Sequence, residues 1–321
     1  MNDAYPDLVR QATLAASSHN TQPWKFRLLA NGMDILPDFS RRLPVVDPDD
    51  HHLFASLGCA AENLLHASAA VGLQGYFSCS PGEPGAHIHF ERSAPSQSPL
   101  FEAIPHRQCC RSDYDGSVMA GDQLRLLEDA AQGTGVSLLW LTGSSALEAV
   151  AEYVAQGNDT QLCDPAWREE LKDWVRFSAA EARRTGDGLY GPVMGNPSVP
   201  RWLGSLAMRL TLSARSQNDK DSKHIRHSSA VAVFFSEADD WQHWIEVGRS
   251  YERFALQATA LGLVTAFINQ PVEVPALRSQ FAAYLGISGR RPDLVVRVGR
   301  GPAMPRSMRR PVEEVIEAAF R

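Results

Sequence analysis

The chain has 321 residues, enough for about two domains at roughly 150 residues each. Hydrophobic residues make up 44 % and charged residues 21 %, ordinary globular usage that excludes wholesale disorder. A net charge of −6 speaks against a generally basic nucleic-acid-binding surface, and with no run of about 18 apolar residues no membrane span is expected.

The opening MNDAYPDLVRQA has neither a basic n-region nor an apolar h-region, so no signal peptide is expected. Cys59, Cys79, Cys109, Cys110 and Cys163 are odd in number and show no C-x-x-C spacing. That pattern predicts reduced thiols in a cytoplasmic protein rather than a disulfide framework or a zinc site. Leu8, Ala12 and Ala15 give helical spacing over 5–16, ending at the polar run Ser17-Ser18-His19-Asn20. Strands at Lys25–Leu29 and Met33–Leu36 follow, joined by the hairpin signal Asn31-Gly32. An apolar-periodic helix covers about 51–71 and stops at Gly72; the pair His51-His52 reads as its solvated start. Short strands near 75–79 and 87–91 lead to a Ser/Pro-rich link at Ser93–Pro99, which predicts a boundary between residues 1–98 and 99–321.

In the second half, helical patterns at about 121–132, 144–156, 165–184 and 240–261 alternate with strands at Val136–Leu141, Ser229–Ser236 and Leu294–Val298. The mixture predicts an α+β sandwich. Residues 186–204 hold five glycines and three prolines and read as a long loop, either a lid or a surface excursion. One repeat stands out. GCAAENLLHASAAVGL (58–73) and GRSYERFALQATALGL (248–263) share Gly at the first position, Glu at the fifth and a closing Gly-Leu. Two unrelated amphipathic helices could do the same; a true repeat implies two related units packed about a pseudo-two-fold axis.

Ser17-Ser18-His19-Asn20-Thr21-Gln22-Pro23-Trp24 is dense in short hydroxyl and carboxamide side chains. Such groups suit the edge of a flat heterocycle, or else the turn closes a helix above a tryptophan plug. Arg107 and Arg111 stand four apart and would share a face of a helical turn; paired guanidiniums repel unless an anion sits between them. A third cluster, Arg306-Ser307-Met308-Arg309-Arg310-Pro311, adds positive charge. No P-loop and no G-x-G-x-x-G accompanies these groups. A serine triad is not expected for Ser18-His19, which lacks a G-x-S-x-G elbow.

SSHNTQPWKF resembles the S-x-x-N-x-Q-P-W motif of the FMN-dependent nitroreductase family, and Arg107-x-Cys109-x-Arg111 resembles that family's Arg-x-Ser-x-Arg/Lys phosphate motif. The motif order is reversed relative to single-domain members, which is similar to a branch with two nitroreductase-like domains fused as an intramolecular pseudo-dimer. Some members of that branch sequester flavin. The resemblance implies one FMN site per chain, with Ser17, Ser18, Asn20 and Gln22 from the first half. From the second half, Arg107 and Arg309 would bind the phosphate and Arg111 would lie near flavin N1/O2. Asn269 or Gln270 would offer a backbone N–H to N5. Cys109 departs from the usual Ser or Thr and weakens the hydrogen bond expected there. It further implies NAD(P)H as electron donor, a small nitroaromatic or quinone-like electron acceptor, and a single chain sufficient for the site. The alternative is an FMN store whose 186–204 segment closes over the flavin with little turnover.

Overall fold

A computed structural model describes residues 4–80 and 82–317; the first three residues, on which part of the leader reading rests, and the last four of the 99–321 unit lie outside the described residues. The first half runs α1 (Tyr5–Ala12), β1 (Trp24–Leu29), β2 (Gly32–Pro37), α2 (His51–Ala70), β3 (Leu73–Ser80) and β4 (Glu83–Arg92). After α3 (Pro99–Ala103) come α4 (Gly121–Ala131), β5 (Val136–Leu141), α5 (Ser144–Cys163), α6 (Pro165–Trp174), β6 (Val175–Arg176), α7 (Ala179–Thr185), β7 (Leu189–Tyr190), α8 (Arg201–Thr211) and α9 (Ala214–Arg226). The chain closes with β8 (Ala230–Ser236), α10 (Trp241–Ala260), β9 (Val264–Phe267), α11 (Gln270–Glu273), α12 (Pro275–Tyr284), β10 (Arg291–Gly299) and α13 (Val312–Val315). The fold is α+β. No helix among the described residues is long and apolar enough to cross a membrane.

Two four-stranded sheets carry the same connectivity. The first has the order β1-β2-β4-β3 and the second β5-β8-β10-β9, every neighbouring pair antiparallel. In each, the long helix (α2 or α10) joins the second strand to the third. The two long helices are the two copies of the sequence repeat, and they cross at its glycines. A Cβ on Gly58 would lie 1.9 Å from the Ile245 carbonyl oxygen, and one on Gly248 would lie 1.8 Å from that of Ala55. Each glycine thus meets the carbonyl three residues before the other, a reciprocal contact only a residue without a Cβ permits.

Trp24, Phe26, Leu57 and Leu64 from the first half and Phe234, Tyr251, Phe254 and Val296 from the second belong to one continuous buried core. Each large apolar side chain so buried contributes about 1.5–3 kcal/mol. The C-terminal segment binds the halves further: Ile316 bridges in parallel to Phe26, so the tail of the second half extends the sheet of the first.

The sequence pattern fails in informative places. The periodicity over 165–184 runs across a break, because Asp164 and Ser178 each cap a separate helix and Arg176 turns inward to Asp187 at 2.8 Å. α5 continues to Cys163, where Asp164 and Pro165 end it. α9 has no apolar stripe to read: its sequence ARSQNDKDSKHIR buries only Ile225. Residues 186–200 are irregular apart from a short strand and a 3-10 turn, but helix resumes at Arg201.

Candidate active site

After α1 the chain turns sharply through Ser17–Gln22. His19, Asn20 and Gln22 have φ of 49°, 54° and 53°, three of the four left-handed non-glycine residues described. Such a backbone costs of order 1 kcal/mol or more per residue and persists only when its surroundings over-determine it. They do so here. Gln22 N–H donates to Ser17 Oγ at 3.1 Å, Gln22 Nε2 donates to the Gly186 carbonyl at 2.9 Å, and Gln22 Oε1 accepts from Arg310 N–H at 2.9 Å. Asn20 Nδ2 donates to the carbonyls of Gly188 and Met308, each at 3.1 Å. Trp24 is wholly buried beneath the turn.

The arginine segment 107–111 is not the helical turn its spacing suggested. α3 ends at Ala103, and the chain then runs extended beside β9, with Cys109 bridged to Thr265 and Cys110 N–H donating to the Thr265 carbonyl at 2.8 Å. An extended segment returns to one face every second residue, so Arg107, Cys109 and Arg111 still address the same space. Buried Arg107 lies 2.9 Å from Glu252 Oε1 and donates to the Leu14 carbonyl at 2.7 Å. Arg309 donates to the carbonyls of Thr13, Leu14 and Ala15 at 2.7, 3.0 and 3.2 Å, and to Asn20 Oδ1 at 3.1 Å. These carbonyls follow the C-terminus of α1, where positive charge is favoured.

Buried Arg107 and half-buried Arg309 therefore share the influence of one carboxylate, Glu252. Burial, and then the charge of Arg107, push Arg309 down to about 9 despite the opposing pull of Glu252; it stays protonated at neutral pH. Surplus positive charge buried in this way calls for an anion. Arg111 differs from both: its guanidinium has no hydrogen-bonding or ion-pair partner among the described residues.

Two adjoining cavities, of about 260 and 100 Å³, meet at Ser17, Arg111, Leu189 and Phe267, which line both. Ser18, His19, Asn269 and Gln270 face only the larger, while Asn20, Arg107, Cys109 and Arg309 face the smaller. Residues nearly three hundred positions apart thus converge on one continuous space. Gln22 is the exception. It lines neither cavity, because its amide is spent on the backbone of Gly186 and Arg310. Asn269 Oδ1 is also committed, accepting from Val295 N–H at 2.8 Å.

Several lining residues escaped the sequence reading. His19 is half-buried on the wall of the larger cavity, and desolvation, then the charge of Arg111, push its pKa down to about 4, so it is neutral. The expected solvated pair His51-His52 is instead buried, at 1 % and 6 % exposure. Asp47 Oδ1 and Oδ2 accept from His52 N–H and Leu53 N–H at 3.0 Å each, which pins the helix start, and His51 Nε2 pairs with Asp293 Oδ1 at 2.8 Å. The 186–190 segment folds onto the site, with Gly188 N–H donating to the Asn20 carbonyl at 3.1 Å and Leu189 covering both cavities.

No protein-family model matches the chain. It is similar along nearly its whole length to two Mycobacterium tuberculosis proteins named "Putative NAD(P)H nitroreductase", MT3217 of strain CDC 1551 / Oshkosh and Rv3131 of strain ATCC 25618 / H37Rv. Each is 27 % identical over 343 residues, covering 99 % of this chain and 94 % of the relative. Among solved structures, the FMN-dependent nitroreductase NfnB of Mycobacterium smegmatis in complex with NADPH aligns over 69 % of this chain and 98 % of its own, with 14 % identity and a TM-score of 0.44. A nitroreductase of Bacteroides fragilis with bound FMN aligns over 67 % and 96 %, with 15 % identity and a TM-score of 0.41.

Proposed function

We propose that this chain is a cytoplasmic FMN-dependent oxidoreductase that uses NAD(P)H to reduce small nitroaromatic or quinone-like acceptors. It is built from two nitroreductase-like units, residues 1–98 and 99–321, fused as an intramolecular pseudo-dimer with one flavin site. The observation that carries the reading is the convergence of Ser17, Ser18 and Asn20 from the first unit with Arg107, Arg111 and Arg309 from the second on one pair of adjoining cavities. Full-length similarity to proteins named as NAD(P)H nitroreductases supports it, as does the repeated strand order of the two sheets.

The residues present fit FMN. The charge surplus at buried Arg107 and half-buried Arg309 suits a phosphate, and the unpartnered Arg111 stands where the two cavities join. When bound, FMN supplies two-electron redox chemistry between nicotinamide and acceptor. The chain's own groups bind and orient. Arg111 would offer positive charge to the flavin, and Ser17 and Ser18 would offer their hydroxyls. Asn269 and Gln270 lie on the wall of the larger cavity, which Leu189, Trp167 and Leu212 line with apolar surface.

The test begins with the purified chain, which should be yellow and carry about one FMN per chain. It should oxidise NADPH or NADH with menadione or a nitroaromatic far faster than free FMN does. Colourless protein that gains no flavin absorbance on adding FMN overturns the binding site. Yellow protein with rates no better than free FMN overturns the enzyme and leaves the alternative, a flavin store. One feature favours that second reading: Leu189 covers both cavities and its segment is bonded to Asn20 and Gln22. Activity gained on loosening that segment would select the store.

A further inference from the structure

A surface helix ordinarily buries its apolar stripe and shows polar residues to solvent. Helix α8, RWLGSLAMRLT, does the reverse. Its packed face is Gly204 and Met208: a Cβ on Gly204 would lie 2.1 Å from Phe177 Cδ1, and Met208 packs with the cluster of Val175, Phe177 and Leu189. The opposite face carries Trp202, Leu206 and Leu210, one turn apart, with Leu203 beside them. All four are exposed, Trp202 at 71 % and Leu210 at 74 %. At 3.6 residues per turn they fill an arc of about 100° directed away from the protein. Single exposed leucines are ordinary, but four large apolar side chains on one outward helix face mark an interaction surface.

The charge around the stripe says what covers it. Residues 200–216 contain Arg201, Arg209 and Arg215 and no Asp or Glu, in a chain whose net charge is −6. Arg201 is engaged by Glu181 at 2.7 Å. Arg209 and Arg215 are exposed and have no ion-pair partner among the described residues. Beside α8 runs a groove of about 480 Å³ against α6, lined by the apolar Leu206, Met208 and Leu212 and by the charged Arg168, Glu169, Lys172 and Arg209. Glu169 is taken by Lys172 at 2.8 Å, which leaves Arg168 and Arg209 in excess. A second copy of this chain would bring the same acid-free face and set arginine against arginine across a two-fold contact through α8. An anionic bilayer offers what both features need, hydrocarbon for the tryptophan and leucines and phosphate for the guanidiniums.

We propose that α8 is an interfacial helix that docks the protein on an anionic membrane surface. It lies in the plane of the headgroups, with Trp202, Leu203, Leu206 and Leu210 in the acyl boundary and Arg209 and Arg215 against lipid phosphates. The docking is independent of the flavin reading above, but one consequence rests on it. Leu212 lines both the groove and the larger cavity, so the docked protein turns a wall of that cavity toward the bilayer, the phase into which an apolar quinone partitions.

The experiment floats the full chain as purified with vesicles of equal parts phosphatidylglycerol and phosphatidylcholine, and with phosphatidylcholine alone. The chain should float with the mixed vesicles and bind the neutral ones about tenfold more weakly, with a similar loss on the mixed vesicles at high salt. Leu206→Glu with Leu210→Glu should weaken flotation by about tenfold or more and leave melting temperature, flavin content and menadione reduction in solution unchanged, because both side chains face solvent. Arg209→Gln with Arg215→Gln should cost about tenfold and remove most of the salt dependence. Flotation indifferent to the glutamates, or without preference for phosphatidylglycerol, overturns the docking. So does a wild-type dimer that fails to float and that the glutamates dissociate, which gives the face to a second copy. Release from the vesicles by inorganic phosphate at constant ionic strength assigns the groove to a free anion and overturns it as well. Colourless protein that still floats keeps the docking and ends the flavin reading instead.

Discussion

The fifth residue of each repeated helix segment is a glutamate, and the two glutamates have opposite surroundings. Across the helix crossing, Glu62 faces Arg249 and Arg253, at 3.1 and 2.7 Å. Glu252 faces the pseudo-equivalent Cys59 and Asn63, and Asn63 donates to it at 3.2 Å in the orientation that satisfies both ends of the amide. At Glu62 charge is balanced: Arg249 also pairs with Glu246 at 2.8 Å and lies over the Phe77 ring at 3.9 Å, while Arg253 spends its remaining donors on the carbonyls of Ala130 and Gln132. At Glu252 the small residues leave room for Arg107, Arg309 stands beside it, and the positive charge is in surplus. One repeat, built twice, gives a sealed polar joint at one end and an anion-seeking cavity at the other.

The most demanding challenge to this contrast is to remove one arginine from each joint. Arg107→Ala strands a fully buried carboxylate and should lower unfolding free energy by about 3–5 kcal/mol. Arg249→Ala leaves Glu62 with Arg253 and should cost about 1 kcal/mol. Urea denaturation of both variants checks this, and equal losses would abolish the distinction. The crossing itself is tested by Gly58→Ala and Gly248→Ala, each expected to destabilise by about 1–3 kcal/mol as the helices part. Thermal melts that differ by much more than the spread within that range would break the pseudo-symmetry. Function is isolated better by Arg111→Ala than by the buried arginines, because Arg111 carries no internal bond. FMN should bind about tenfold more weakly with an unchanged melting temperature, whereas Arg253→Ala should leave flavin affinity alone. Smallest is Cys109→Ser, where a hydroxyl is a better donor than a thiol; FMN affinity by fluorescence titration should improve by about threefold.

Much of this molecule is visible in the order of its residues. The Asn31-Gly32 turn, the long periodic helices and their shared Gly-x3-Glu pattern lead to the hairpin and the crossing as found. Nine of the ten candidate residues face the cavities; six of them lie in the Ser17–Trp24 and Arg107–Arg111 segments, and the other three, Asn269, Gln270 and Arg309, are brought to them by a proximity that no local pattern discloses. What stayed hidden depends on distant partners. His51 looks solvated until Asp293, 242 residues away, is brought against it. Gln22 looks like a ligand until Gly186 and Arg310 claim its amide. α9 is polar almost throughout, so its helix is stabilised by capping at Ser213 and by contacts with α5, including Arg226–Glu148 at 2.6 Å, rather than by an apolar stripe.

The bond between Asn20 and Arg309 spans 289 residues. A ribosome must therefore synthesise almost the whole chain before the carbonyls that end α1 meet the guanidinium that completes them. Until then the strained turn at His19–Gln22 lacks part of its support, and a nascent first half has no finished socket to offer. Completion of the socket is consequently a late event in biogenesis, and a chain cut anywhere upstream of residue 309 would lack the guanidinium that finishes it.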